Sequence, residues 1–428
     1  MDKIMSLAKR RGFIFQGSDI YGGLTGTWDF GPMGVELKNI VKRLWWDMFI
    51  TRRSDMYGIE SAILMNPKVW EASGHVQTFT DPLIDCKKCK SRFRADKIDA
   101  SKGCPNCGAH EFTEARAFNL MFKTHAGPVE DSGSQVYLRP ETAQGMFVNF
   151  KNIIDSFHPK LPFGIAQIGK AFRNEITPGN SIFRSREFEQ MEIEYFVREN
   201  DWEKSFENWL SEMHRWMKMI GITNAHDREV PKEDLAHYSK RTVDIDFDYP
   251  FGREELYGIA YRTDFDLKNH IEKSGADLSY LEDDGNRFVP HVIEPTFGVE
   301  RTILALLVSA FEEQQLEKDT RTVLHFKPQV APVTVAVFPL VSNKENILEK
   351  ARGVYTELKK EFRTAWDDIG NVGKRYRRQD EIGTPWCVTI DYDTLENDTV
   401  TVRDRDTMQQ ERVAIGDLPA FFREKLKA

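Results

Sequence analysis

The chain has 428 residues, of which 40% are hydrophobic and 29% charged, with a formal net charge of −8. That length asks for two or three domains, and that balance marks a globular chain in which no apolar run approaches the ~20 residues of a membrane span. The negative charge argues against a general nucleic-acid coat and leaves a local basic patch open. The opening Met1-Asp2-Lys3-Ile4-Met5 carries no apolar signal-peptide core, so a cytoplasmic protein is expected.

Met33 to Met56 reads as an amphipathic helix, with Leu37, Ile40, Val41, Leu44, Trp45, Met48 and Phe49 at i, i+3, i+4 spacing and Pro32 just ahead. Such a helix serves equally in a core or at a subunit interface. An inserted module follows. Cys86-x2-Cys89 and Cys104-x2-Cys107 stand 14 residues apart, close to a four-thiolate zinc pattern with a slightly short spacer. Gly108 suits the tight turn of a zinc knuckle. Disulfides are the competing reading, and a reducing compartment argues against them. Four thiolates leave no open coordination position, so the zinc would be structural.

Val136 to Gly145 reads as a strand turning into a helix. Phe163 to Phe172 is a strand, and a polar loop with Pro178, Gly179, Arg184 and Arg186 leads to a return strand from Phe188. The return has period two: Met191, Ile193, Tyr195 and Val197 on a core face, Phe188, Gln190, Glu192 and Glu194 on the other. A ring and acids in a row on a sheet make a plausible nucleotide cradle, with arginines for phosphates, the ring for a base, and acids for an ammonium group or a metal. Asp201 to Ile220 is a helix whose Trp202, Phe206, Trp209, Leu210, Met213, Trp216, Met217 and Ile220 form a core stripe.

Strands are expected at Thr242 to Phe247, Glu255 to Tyr261 and Val289 to Glu294, and a helix from Gly298 to Glu312. Antiparallel-looking strands with segregated helices point to an α+β fold. Lys327 to Pro332 is a linker. Beyond it, strands at positions 333–338, 363–367, 386–391 and 399–403 surround a helix at 344–362 and a helical or irregular stretch at 371–381. That alternation suggests a small α/β domain with a largely parallel sheet. Cys387 lies in an apolar strand and is expected in the core.

Three places repeat one chemistry: Arg139-Pro140-Glu141, the hairpin, and Glu294 to Arg301. In a strand Glu294 and Thr296 share a face, and Arg301 falls in the first turn of a helix, whose N-terminus favours anions. No G-x-x-x-x-G-K-[ST] or strand-to-helix G-x-G-x-x-G occurs. The cluster Gly22, Gly23, Gly26, Gly31 and Gly34 reads as turns and close packing. Lys374, Arg375, Arg377 and Arg378 with Tyr376 form a basic run, and Arg403 and Arg405 flank Asp404. In a negatively charged chain this favours phosphate contact over a merely solvated helix face.

Phe172-Arg173-Asn174-Glu175 with Arg186-Glu187-Phe188-Glu189 resembles motif two of the class II aminoacyl-tRNA synthetases. Gly298-Val299-Glu300-Arg301 resembles motif three, and the Pro32 helix motif one. Arg139 to Gly145, Phe118 to Phe122 and Lys374 to Gly383 are more specific. In this order they resemble the glycyl-tRNA synthetases of the homodimeric class II type over nearly the whole chain.

The resemblance implies a class II antiparallel-sheet catalytic domain over residues 1–326, with a zinc-ribbon insertion at 85–112 and a helical insertion at 200–250. It implies a linker at 327–332 and an α/β anticodon-binding domain at 333–428. The implied activity is ATP-dependent activation of glycine and its transfer to tRNA(Gly) in protein synthesis, with Mg2+ on the phosphates and a homodimer closed through motif one. Arg173 and Arg301 are the implied catalytic residues. Arg173, Asn174, Glu175, Arg184, Phe188, Glu255 and Arg301 would hold ATP. Glu141, Gln190, Glu192, Arg262, Glu294 and Thr296 would hold glycine. Cys86, Cys89, Cys104 and Cys107 would hold Zn2+, and Lys374, Arg375, Arg377, Arg378 and Arg403 would meet tRNA.

Glu255 lies seven residues before Arg262, so the two need a bulge, expected at Gly258, to share a face. The family usually has serine where this chain has Thr296, and glycine is expected to remain the substrate with alanine excluded at least as well. Two other readings compete: another adenylate-forming ligase on this fold, and an accessory subunit that has lost its ATP residues. The C-terminal basic run argues against the first, and the presence of Arg173, Glu175, Phe188 and Arg301 against the second.

Overall fold

The computed structural model describes residues 1–131, 133–317 and 319–427. Seven strands build the central sheet: β1 (Met56–Gly58), β2 (Phe163–Phe172), β3 (Glu187–Val197), β4 (Ala225–Glu229), β5 (Arg241–Tyr249), β6 (Gly252–Thr263) and β7 (His291–Gly298). Their order is β4-β5-β6-β7-β3-β2-β1. Only β1 with β2 is parallel; every other pairing is antiparallel.

The period-two pattern of β3 decides which face is which. Met191, Ile193, Tyr195 and Val197 turn toward Trp45, Phe49, Trp209 and Trp216 in the main core. The opposite face is polar around Gln190 and Glu192 and becomes apolar at its far end. There Phe163, Ile165, Phe196 and Val292 pack against Phe147, Phe150 and Leu267. Glu194 stands at the boundary, opposite Ile165.

Two irregularities re-aim β6. Asp246 pairs with Glu255 and Ile245 with Tyr257, so Leu256 is an extra residue. The bulge therefore falls two residues before Gly258, where it was expected, and it brings Glu255 onto the face of Gly258 and Arg262. A second shift leaves Arg262 itself as the extra residue opposite Ile293 and Val292.

The helix expected over Met33 to Met56 ends sooner. α1 (Pro32–Trp46) runs into a π-helical turn at Asp47–Thr51, and Met56 pairs with Gly164 instead. Strand pairing overrides helical periodicity there. Within 200–250 the α-helix is α2 (Trp202–Ile220), with short 3-10 turns at Glu199–Asp201 and Lys232–Asp234; β4 and β5 also come from this range. The helix expected to reach Glu312 is α3 (Val299–Ala310), because Phe311–Gln315 forms a hairpin with Thr320–Leu324.

The C-terminal sheet is mixed rather than largely parallel. Val335–Pro339 pairs in parallel with Thr364–Trp366 and Trp386–Ile390, whereas Trp386–Ile390, Thr399–Asp404 and Gln410–Ala414 pair antiparallel. A parallel crossover needs about a dozen residues, and the segment 391–398 is too short for one. Cys387 is buried in this sheet. Among the described residues no helix is long and apolar enough to cross a membrane.

Candidate active site

β3, β7 and β6 meet to form a floor. Glu192 stands opposite Thr296, and the same register sets Glu194 opposite Glu294. Gly258 and Ala260 lie opposite Thr296 and Glu294 on the other side. Arg262 reaches across this floor, 1% exposed. It donates Nη1 to Glu294 Oε1 at 2.6 Å, and Nε and Nη2 to the two Asp266 oxygens at 2.8 and 2.9 Å. Its guanidinium carbon lies 3.8 Å from the Tyr238 ring centroid and 5.4 Å from that of Phe147.

The wall of the floor continues the network. Gln144 Nε2 donates to Asp266 at 2.9 Å and to Glu141 Oε1 at 3.1 Å. The other Glu141 oxygen is 3.2 Å from His75 Nε2, whose ring Nδ1 meets Ser73 Oγ at 2.8 Å. Glu192 accepts from the Thr142 hydroxyl at 2.5 Å, the Thr296 hydroxyl at 3.0 Å and the Gln190 amide at 3.4 Å.

The electrostatics differ from acid to acid. Burial works against the charge of Glu141, yet His75, Arg262 and Gln144 together hold its carboxyl well below the usual range. Burial and the nearby Glu141 push Glu192 up against its hydroxyl donors. Burial also pushes Glu294 up, with Arg262 pulling the other way. Five buried carboxyl groups, Glu141, Glu192, Glu194, Asp266 and Glu294, thus crowd around Arg262, with the buried Arg139 near Glu192 and His75 against Glu141. A small site with that surplus of acid is complementary to a compact cation.

A cavity of about 350 Å³ adjoins this floor, and Gln190 and Thr296 line it. Arg173, Glu175, Arg184, Phe188, Glu255 and Arg301 line it too. Arg173 donates Nε to the Pro140 carbonyl at 3.0 Å, and the rest of its guanidinium has no protein partner among the described residues. It lies 5.4 Å from the Phe188 ring centroid. Glu175 is 8% exposed, and its Oε2 accepts no hydrogen bond from the described residues, with Arg184 Nη1 at 3.7 Å. An acceptor buried beside a cavity suits a ligand amino group. Arg301 donates to the Glu255 carbonyl at 2.9 Å, pairs with its carboxylate at 3.0 Å and lies 4.6 Å from the Phe183 ring centroid. Asn174 is not among the lining residues; its backbone N–H donates to Leu120 O at 2.7 Å.

Two motif acids serve the scaffold instead. Glu189 and Glu300 converge on the buried Lys38 of α1, at 2.5 and 2.8 Å, and Glu300 also accepts from the Glu189 backbone at 2.8 Å.

The cysteine module is a three-stranded sheet, Thr80–Asp85 flanked by Arg92–Arg94 and Arg116–Asn119. The four sulfurs lie within 4.8 Å of one another, with Cys86 to Cys107 at 3.7 Å and Cys89 to Cys104 at 3.6 Å. A tetrahedron of thiolates about 2.3 Å from zinc has edges of about 3.8 Å, so the donor set fits. The module also supplies a wall of the cavity through Asp81 and Arg94, paired at 2.8 Å.

The basic run needs correction. Arg375 is buried and donates to the carbonyls of Pro339, Asp368 and Gly370, so it has no reach to a phosphate. Arg403 is buried against Asp380 at 3.0 Å, beside Arg321, which holds the same carboxylate at 2.7 Å. Arg377 pairs with Asp319 and Arg378 with Asp367. Lys374 is exposed and forms no ion pair among the described residues.

His75, Asp81, Arg94, Thr142, Gln144, Phe183, Tyr238 and Asp266 escaped sequence reasoning. Asp266 had a local signal, four residues after Arg262. Thr142 and Gln144 lie within the Arg139 to Gly145 motif without having been singled out, and the others come from segments whose periodicity points nowhere in particular.

Comparison with known proteins covers both units. The tRNA synthetase class II core domain (G, H, P, S and T) matches residues 122–310, and the anticodon binding domain matches 334–425. A glycine--tRNA ligase of Caldanaerobacter subterraneus subsp. tengcongensis is 52% identical, with 100% of this chain and 98% of the relative aligned. Those of Clostridium kluyveri and Bacillus cereus are 52% and 51% identical, with 100% of this chain and 98% and 99% of the relatives covered.

Proposed function

The chain belongs to the glycine--tRNA ligases, which carry the class II aminoacyl-tRNA synthetase core, and from that membership we propose how its residues divide the work. The enzyme joins glycine to tRNA using ATP. A glycine carboxylate oxygen attacks the α-phosphorus, the bond to the leaving pyrophosphate breaks, and glycyl-adenylate forms. A terminal ribose hydroxyl of tRNA(Gly) then attacks the glycyl carbonyl, loses its proton, and releases AMP.

The buried surplus of carboxyl groups beside the arginine-lined cavity carries the assignment. Glu141, Glu192 and Glu294 take the glycine ammonium, Arg262 holds Glu294 in place, and Gln190 and Thr296 close the junction to the cavity. Arg173 bridges the glycine carboxylate and the α-phosphate, a task for which a planar fork suits better than lysine. Glu175 accepts the adenine amino group at its unpaired oxygen, Phe188 and Arg301 sandwich the adenine, and Arg184 reaches the outer phosphates. Catalysis here is positioning plus charge stabilisation.

Mg2+ would neutralise the phosphates when bound, with Glu255 as a protein ligand once Arg301 turns to the nucleotide. Zn2+ is the metal best suited to the four thiolates, and its role is structural. Such thiols and this activity belong in a cytoplasm. A homodimer is supported by Ile20, Tyr21 and Leu24, exposed at 89%, 87% and 57% near the motif-one helix. Lys374 is the member of the basic run best exposed for tRNA.

Amino-acid-dependent ATP–pyrophosphate exchange tests the assignment. Exchange is expected with glycine and not with alanine, and it should vanish in Arg173→Ala. Exchange that is indifferent to the amino acid, or that survives in Arg173→Ala, would refute it.

A further inference from the structure

Glu194 has no part in the roles above. Its side chain is wholly buried, and neither carboxyl oxygen meets a hydrogen-bond donor among the described residues. Across β2 it faces Ile165, and the next residue on its face, Phe196, belongs to the apolar cluster at the closed end of the floor. Across β7 it faces Glu294.

The charged groups around it are Glu294 on β7, Glu192 on its own strand, Arg262 on β6 and Asp266 in the following helix. The single guanidinium among them is already committed to Glu294 and Asp266. An ionised carboxylate without a donor, next to an apolar cluster and other acids, is strongly disfavoured. A neutral carboxylic acid has an O–H that needs an acceptor. Glu294 lies directly opposite, and Arg262 occupies only one of its two oxygens.

We propose that Glu194 is a positioning residue: a neutral carboxylic acid that donates its proton to the free oxygen of Glu294 and so aims Glu294 at the glycine ammonium. Held by Arg262 on one oxygen and by Glu194 on the other, Glu294 loses its freedom to rotate, and both contacts favour its charge against burial and the neighbouring acids, which work the other way. The arrangement also relieves crowding among the acids, since one of five contributes no charge. Burial and the neighbouring Glu294 push the Glu194 carboxyl well above its usual range, in agreement with that assignment. The inference rests on Glu294 being an ammonium ligand.

The test uses the full-length enzyme and three variants. Glu194→Gln keeps an N–H donor in the same place, and its glycine KM should stay close to wild type. Glu194→Met removes the donor but suits the apolar cluster. It should raise glycine KM by about tenfold or more, the effect of losing a hydrogen bond to a charged group, with ATP KM unchanged and no loss of melting temperature. The infrared band of a protonated carboxyl group should be present in wild type and absent from Glu194→Gln. The inference fails if the Gln variant is as impaired as the Met variant, because a charged carboxylate is then required. It also fails if no such band is lost, or if Met leaves glycine KM unchanged while Glu294→Gln raises it. Unchanged glycine KM in Glu294→Gln would instead overturn the reading of Glu294 itself, with the infrared band still reporting on the pair.

Discussion

Thr296 donates its hydroxyl to Glu192 at 3.0 Å and stands opposite Gly258, which has no side chain. A β-branched side chain is stiff about χ1, so committing the hydroxyl also commits the methyl. Glycine needs no room for a substituent, and the methyl adds bulk at the junction between the acidic floor and the arginine-lined cavity. Thr296→Ser should keep glycine activation and relax exclusion of alanine, by up to about tenfold for one methyl group. Exchange kinetics with both amino acids measure it, and identical values for serine and threonine would mean that the methyl does not matter. The acids around it were legible as a period-two row on β3. Their individual states were not, because those depend on partners such as His75 and Arg262 that only folding brings near.

At the scale of elements, α/β periodicity located most strands and helices, and pairing corrected their ends. The helix Val372–Ile382 looks like a basic face in sequence, yet its arginines mostly face inward: Arg375 satisfies three carbonyls and Arg378 holds Asp367. Arg375→Ala should therefore destabilise the C-terminal domain by about 1–3 kcal/mol, because the buried Pro339 carbonyl loses its donor along with the more open Asp368 and Gly370 carbonyls. Lys374→Ala should leave stability unchanged, weaken tRNA binding and lower the salt slope by about one. Urea unfolding and tRNA titration over a salt series separate the two. Equal loss of tRNA affinity with intact stability in both variants would overturn the distinction. A run of basic residues reports charge per length of chain, whereas exposure depends on which side of the helix meets the sheet.

For the molecule as a whole, a buried acid with a raised pKa links stability to pH. The native Glu194 carboxyl binds its proton more tightly than the unfolded chain does. Its contribution is therefore complete below the ordinary glutamate range and is lost as pH rises above it. Glu194→Gln has no proton to lose. Its stability relative to wild type should grow with pH, by at most about 1.4 kcal/mol per unit while wild-type Glu194 remains protonated. Urea midpoints at several pH values give the difference, and parallel curves would contradict a raised pKa.

The sequence alone determined the family and the α+β class. Motif order, strand alternation and four cysteines are local patterns, and local sterics and residue type express them directly. Tertiary structure decided what depends on meeting across distance. The bulge at Leu256 brings Glu255 to the face of Arg262, and the cysteine module lends Asp81 and Arg94 to the arginine-lined cavity. Lys38 claims Glu189 and Glu300 for the scaffold, Arg375 turns inward, and Glu194 faces an acid with no hydrogen-bond donor among the described residues. Each of these outcomes depends on register and burial, and neither is a property of a residue until the strands have paired.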